Sequence, residues 1–383
     1  MSEHYQICED LDTVDAEQWN RIAGSNPLIR YEFFKALHQT GCATSGTGWS
    51  PHFLLMYRQA ELVAAMPLYL KWHSRGEYVF DYAWARAFEQ HGLAYYPKLL
   101  SAVPFSPVQG PRLLAAKHSD RISLAKRAIQ IANDNKLSSL HILFPNKEDR
   151  LALEEVGFLF RDTVQFHWHN QGYQSLDDFL GTMSQKNRKK IRQDKNRAKR
   201  AGVEFEWLEG ADIDSETLAF FYRCYCQTYF EHGHTPYLNL QFFAQLQHTM
   251  PDNLVLIVAW QNGQRIACAL NFKDDKSMYG RYWGAKTFIS GLHFETCYIQ
   301  SIEYCIKNKL EVFEGGAQGE HKLARGLLPV VTPSAHWVRD SRYANAIHDF
   351  VNRESEMIDN YVETLDDHSP FKRGESPDNT RLN

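Results

Sequence analysis

LLMYRQAELVAAMPLYL, from Leu54 to Leu70, and VLIVAWQNGQRIACALNF, from Val255 to Phe272, decide the fold. Each stretch is a pair of apolar runs around a short polar turn, the pattern of a β-hairpin. They align without a gap: Tyr57 with Trp260, Val63 with Ile266, Ala64 with Ala267. In the second stretch Asn262-Gly263 is a strong two-residue turn, because both residues tolerate positive φ. Gln59-Ala60 at the matching place in the first is a weak one.

The similarity extends outward. FFKALHQT begins at Phe33 and FFAQLQHT at Phe242, and both read as helices just upstream of their hairpins. Downstream, helical stretches end in Asn135-Lys136-Leu137 and in Asn308-Lys309-Leu310, and a strand follows each, LHILF and EVFEG. Each half then reaches a His-Trp pair, His167-Trp168 and His336-Trp337. Matched landmarks in one order imply a tandem repeat of a single α/β unit. Its strands need cover on both sides, so the fold class is α/β with mixed sheets and helices on their faces. The expected domains are 1–170, 171–345 with a basic helix at 184–201, and a C-terminal helix and polar tail over 346–383. The aromatic- and proline-rich stretch Tyr78–Leu114 reads as a long loop, either lining a cleft or packing irregularly on the core.

With 383 residues, 44% hydrophobic and 23% charged, the chain is a soluble globular protein and not a disordered one. A net charge of -4 excludes a protein coated with nucleic acid over most of its surface. The start, MSEHYQICED, has no signal-peptide pattern. No run approaches the ~18 apolar residues of a membrane span. The 7 cysteines, an odd number spread over a large chain, fit reduced thiols in a cytoplasm better than a disulfide scaffold.

One segment departs from this balance. QKNRKKIRQDKNRAKR, residues 185–200, carries nine cations and one acid, Asp194. Ser184 reads as its N-cap and Gly202 as its stop. Either the helix is a solvated charged face, or Arg188, Lys189 and Arg192 bind an anion: tRNA, a lipid head group or a cofactor phosphate.

The chemistry concentrates in EVFEGGAQGEHKLARG, residues 311–326, where a strand runs into a glycine turn bearing Glu314, Gln318, Glu320, His321, Lys322 and Arg325. Strand ends are where α/β proteins build sites. The acids and His321 are suited to proton transfer, Lys322 and Arg325 to holding an anion. Upstream, Tyr282, and then His293 and Glu295 near a helix start, are further candidates. In the first half Asp81, Trp84, Lys98 and Arg112 are candidate substrate contacts. Cys224, Cys226, His232 and His234 lack the spacing of a zinc finger, and no metal site is expected. Neither a Walker loop nor a nucleophile elbow is present.

The runs PLYLKWHSRGEYVFDYAWARAFEQHGLAYYPKLLSAVPFSPVQGPRLL, QFHWHNQGYQSLDDFL, SQKNRKKIRQDKNRAKRAGV and FEGGAQGEHKLARGLLPVVTPSAHWVRD, with the closing SPFK, resemble a bacterial family of FemAB-like N-acyltransferases. The resemblance covers nearly the whole chain. It implies two tandem GNAT-like domains and a cytoplasmic transferase acting on a peptidoglycan precursor. Acyl-CoA or aminoacyl-tRNA would serve as co-substrate rather than as a tightly bound cofactor, in a monomer or weak dimer without integral membrane association.

The expected reaction is amide formation: an amine attacks an activated carbonyl, Glu320 or His321 takes the proton, and Glu295 and Tyr282 position the amine or protonate the leaving group. The alternative is a non-enzymatic binder of an anionic glycan or lipid precursor that keeps a degenerate acyltransferase cleft.

Overall fold

The structure, a computed structural model, describes residues 3–317 and 319–372. The chain divides into two compact units. One comprises the residues up to Thr163 together with Val331–Tyr361, and the other Val164–Val330 with the residues from Val362 onward.

The first unit runs β1 (Glu3–Cys8), α1 (Ala16–Ala23), α2 (Tyr31–Gln39), β2 (Trp49–Pro51), β3 (Phe53–Arg58), β4 (Glu61–Met66), β5 (Leu68–Lys71), α3 (Tyr82–Gln90), β6 (Lys98–Ser101), β7 (Leu114–Ala115), α4 (His118–Asp134), β8 (Ser139–Leu143) and α5 (Lys147–Val156). After β9 (Leu159–His169) come α6 (Leu176–Thr182), α7 (Gln185–Arg200), β10 (Val203–Glu209), α8 (Ser215–Glu231), α9 (Leu240–Thr249), β11 (Leu254–Gln261), β12 (Gln264–Lys273) and β13 (Ser277–Ala285). Then follow α10 (Leu292–Phe294), a π-helical turn (Glu295–Ile299), α11 (Gln300–Lys307), β14 (Val312–Ala317), β15 (Leu328–Val338) and α12 (Ser341–Asp367). The stretch expected to be one long loop, 78–114, instead contains α3, β6 and β7. Its aromatics are anchors: Trp84 and Phe88 bury one face of α3.

The duplication holds at the level of hydrogen-bond register. Met56 pairs with Ala64 and Tyr57 with Leu62, a bulge between them. Ala259 pairs with Ala267 and Trp260 with Arg265, with the bulge at the matching place. Both helix exits match as well: Lys136 and Lys309 take φ of 55° and 58°, and Asn135 and Asn308 bond back to the carbonyls of Ile131 and Tyr304. A left-handed residue with a back-bonded carbonyl is how helices commonly end.

Both hairpin turns lie in the left-handed region, Gln59 and Ala60 at φ of 50° and 66°, Asn262 and Gly263 at 50° and 73°. The weak turn is thus forced into the strong turn's shape by the strands it joins. Side chains with a Cβ are strained there. Q59N/A60G is expected to stabilise the protein by about 1 kcal/mol, read as an upward shift of the urea midpoint. An unchanged midpoint would show that the turn is not strained.

The sheets explain the unit boundaries. In the first unit β1, β3, β4 and β7 form one antiparallel sheet, and β2, β5, β6 and β8 are joined by Ser334–Val338 of β15. In the second unit β10 to β13 are antiparallel, β14 joins β13 in parallel, and Gln165–His169 of β9 closes the edge beyond β14. The last strand of each unit therefore comes from the other half of the chain. Residues 331–345 consequently pack with the first unit, not with the contiguous 171–345 expected from sequence.

Candidate functional site

The repeat supplies an internal comparison. His141 on β8 and Glu314 on β14 occupy matching places, as do His336 on β15 and His167 on β9. In the first unit His336 lies opposite His141, and in the second His167 lies opposite Glu314.

The first-unit pair is locked in a closed network. His141 Nδ1 is 2.7 Å from His336 Nδ1, and His336 Nε2 is 2.8 Å from Ser334 Oγ. Tyr95 donates its hydroxyl to Asp81 at 2.5 Å and stands 3.0 Å from His141 Nε2. Ser139 Oγ also lies 2.8 Å from His141 Nε2. Burial pushes His141 down to about 3 and His336 well below its usual range, so both rings are neutral. Of the candidates in this unit, Asp81 and Lys98 meet as a buried ion pair at 2.5 Å. Trp84 packs edge-on against His336 at 4.8 Å. Arg112 is fully buried and donates to the carbonyls of Val108, Gly110 and Pro111, which fixes a loop.

The second-unit pair is open. His167 is buried and its Nε2 has no hydrogen-bond partner. Burial first, then His169, Arg281 and Lys322, push it down to about 3. Arg281 is the extra residue of a bulge, since Leu270 pairs with Tyr282 and Asn271 with Gly280. A bulge re-aims its side chain, and Arg281 reaches Glu314 at 3.1 Å. The pairing of β13 with β14 runs from Ser277–Val312 to Tyr279–Glu314. Gly315 follows where a Cβ would lie 2.5 Å from Leu327 Cδ2 and 3.2 Å from the Phe166 carbonyl oxygen, so any larger residue would push the Leu327 side chain aside.

The turn after β14 brings the cations in. Lys322, 2% exposed, donates to the Gly316 carbonyl at 2.8 Å. Burial, then Arg281, lowers it to about 7. Arg325 bonds Asp194 of α7 at 3.0 Å and lies 3.7 Å over the Phe294 ring. His321, on the exposed side of the turn, stands 3.2 Å from the Tyr298 hydroxyl. Partial burial, then Lys322 and Arg325, lowers its pKa. His293 joins this group, its ring 6.2 Å from His321 and 5.6 Å from Tyr298, with burial holding it at about 4.

The structure therefore gathers Glu314, His321, Lys322, Arg325 and His293. It adds Arg281, Tyr298 and His167, which were not among the predicted site residues. The signal for His167 was its place in the repeated His-Trp pair, though its pairing with Glu314 shows only in the structure. The bulge that aims Arg281 leaves no mark in sequence. Glu320 is exposed at the start of the turn. The Tyr282 ring packs among Tyr225, Phe243 and Phe272, within the core beneath α8 and α9. Glu295 is buried on the π-helical turn and accepts from Gln300. Gln318 lies outside the described residues.

On α7, Ile191, Asp194 and Ala198 face inward. Ser184 sits at the N-cap, but its side chain makes no capping bond to the backbone. Arg188 is half-buried and Lys189 exposed. Arg192 pairs with Asp177 at 2.9 Å, Lys195 with Glu303 at 2.9 Å and Arg197 with Asp194 at 3.3 Å. Among the described residues no three His, Cys, Asp or Glu side chains are grouped to hold a metal ion. No described helix is long and apolar enough to cross a membrane.

Two repeated mixed α/β units define the fold. Solved structures share it. FemX matches with a TM-score of 0.55 at 11% identity, over 91% of this chain and 100% of that one. L-PGS from Bacillus licheniformis matches with a TM-score of 0.52 at 11% identity, over 84% of this chain and 96% of that one. No curated protein matches significantly. Residues 10–373 match the FemAB-like family model, described as peptidoglycan biosynthesis/recognition, and the chain belongs to that family.

Proposed function

We propose that the second unit is an N-acyltransferase centre that joins an amine acceptor to an activated acyl or aminoacyl group, with a peptidoglycan precursor as the acceptor class. One observation carries this reading. Where the first unit closes its His141–His336 pair into a sealed network, the second leaves His167 unsealed beside Glu314–Arg281, Lys322 and the His321–Tyr298 pair. The family description and the shared fold agree with it.

In the reaction, the amine nitrogen bonds to the carbonyl carbon and the carbon–oxygen or carbon–sulfur bond to the carrier breaks. His321, neutral at pH 7, accepts the amine proton, and the leaving group takes a proton back. Lys322 and Arg325 stabilise negative charge on the carbonyl oxygen as it develops. Acyl-CoA and aminoacyl-tRNA both supply a suitable carbonyl. The unpaired cations of α7 favour a polyanionic carrier in either case.

The test is transfer of radiolabelled acyl groups from pooled aminoacyl-tRNA or from acyl-CoA to a soluble muramoyl pentapeptide. His321→Ala is expected to lower kcat by roughly 10²–10⁴ while acceptor binding persists. The pH profile should be bell-shaped. Its acid limb lies below pH 6.5, where His321 protonates, and its alkaline limb near pH 7, where Lys322 loses its charge. Lys322→Arg should remove the alkaline limb alone. Muropeptide binding without transfer from either donor would replace this reading with that of a non-enzymatic binder.

A further inference from the structure

A cleft of about 810 Å³ lies on the second unit, between α7 and β10 on one side and the π-helical turn and α11 on the other. Glu295, 1% exposed, is part of its lining. Its Oε1 accepts from Gln300 Nε2 at 3.0 Å, and its Oε2 has no partner. The direction of this chain of bonds is fixed from outside. The Trp207 indole can only donate, and it donates to Gln300 Oε1 at 3.0 Å. The Gln300 amide must therefore present its NH₂ to Glu295, so that carboxyl group can only accept there. A buried carboxylate oxygen without a donor is costly. It persists here on a π-helical turn, an inserted-residue feature that recurs at functional sites.

Three lysines share the lining with two further acids, Glu204 and Glu303. Lys199 is exposed, and Lys307 lies 5.1 Å over the Trp207 ring. Lys195 is already tied to Glu303. The cleft thus offers an acceptor at depth and cations at its edge. A ligand that satisfies both brings a hydrogen-bond-donating cation inward and leaves an anionic group outside.

We propose that this cleft binds the free α-amino group of an amino acid or a short peptide, its ammonium on Glu295 Oε2 and its carboxylate toward Lys199 and Lys307. The site stands whether or not the second unit catalyses transfer, because its test uses no turnover.

The test is NMR of the full-length protein labelled with ¹⁵N-tryptophan, with the Trp207 indole assigned through Trp207→Phe. L-alanine, L-alanyl-L-alanine, alaninamide and N-acetylalanine are titrated in turn. Alanine or the dipeptide should shift the Trp207 indole signal saturably, and which of them does so separates a free amino acid from a peptide terminus. Alaninamide should bind more weakly, and N-acetylalanine should leave the signal unmoved. Glu295→Gln should weaken binding roughly tenfold or more while raising Tm, since it removes a buried carboxylate without a partner. Burial raises the Glu295 pKa, so that gain in Tm should grow as pH rises from 5 to 8, as about expected for a group easier to bury protonated. Lys199→Ala should weaken alanine but not alaninamide. The inference is overturned if no free amine saturates the signal by about 20 mM, if N-acetylalanine shifts it equally, or if Glu295→Gln binds as the wild type does.

Discussion

Lys98→Ala is expected to destabilise the first unit by about 3–5 kcal/mol, because it leaves two buried carboxyl groups without their cation. Lys98 is fully buried on β6 and reaches three points of the loop before α3: Ser74 at 2.9 Å, Glu77 at 2.8 Å and Asp81 at 2.5 Å. One ammonium therefore pins that loop, and Asp81 in turn holds Tyr95 and the histidine pair. The ionisation states agree with this role. Burial lowers Lys98, but Glu77 and Asp81 more than reverse it and hold it at about 12, so it is charged at neutral pH. Burial alone would raise Asp81, yet Lys98 and His141 take it well below its ordinary 3.8. Stability from Asp81 is thus fully present above pH 3.8 and lost as pH falls through its lower folded value. Burial pushes Glu77 up to about 7, so its contribution is full below pH 4.5 and lost as pH rises through 7.

Urea unfolding of Lys98→Ala should show the loss, and hydrogen exchange should show it first in residues 72–82. The triple variant K98M/E77Q/D81N should recover most of it, since it removes both carboxyl groups with their cation and leaves only Lys71, 3.9 Å from Glu77 and already lowered by burial to about 7, which can shed its charge. A loss under about 1 kcal/mol for Lys98→Ala would mean that water reaches the cluster and that the loop is held by its backbone.

The repeat was legible because its signals are local. Hairpin alternation, the Asn-Lys-Leu helix exits and the His-Trp pairs each depend on a few neighbouring residues. The exchange of β9 and β15 was not legible, because either His-Trp strand suits either unit by pattern and only long-range pairing decides. For the same reason the domain boundaries were misplaced around residues 331–345. The candidate site was half legible. Glu314, His321, Lys322 and Arg325 share one short turn, so composition exposed them. Arg281 and Tyr298 come from other elements and join through a bulge and a helix face, neither of which composition records. Tyr282 shows the converse: a polar handle suggested a contact, but its ring lies where Tyr225 and Phe243 pack.

Gly284→Ala should be among the most damaging single changes in the second unit. A Cβ at this position would lie 2.1 Å from the Cys224 carbonyl oxygen and 2.3 Å from its carbon. These are backbone atoms of α8, so no side chain can turn aside. The helix must lift from the sheet, and with it the packing of Phe221, Cys224 and Tyr225, which α8 buries against the unit. The expected loss is about 3 kcal/mol or more, at the upper end for overpacking. Activity should fall with stability, because β13 also carries Arg281 and the short pairing with β14 that opens the proposed centre. Gly181→Ala is the matched control. Gly181 lies within α6, and a Cβ there meets nothing within 4 Å. Removing glycine from a helix should stabilise by about 0.5–1 kcal/mol. Thermal unfolding of the two variants should thus move in opposite directions. If Gly284→Ala unfolds within a degree or two of the wild type, as about 0.5 kcal/mol would give, α8 does not approach β13 as closely as described, and the fixed placement of Arg281 against Glu314 loses its support.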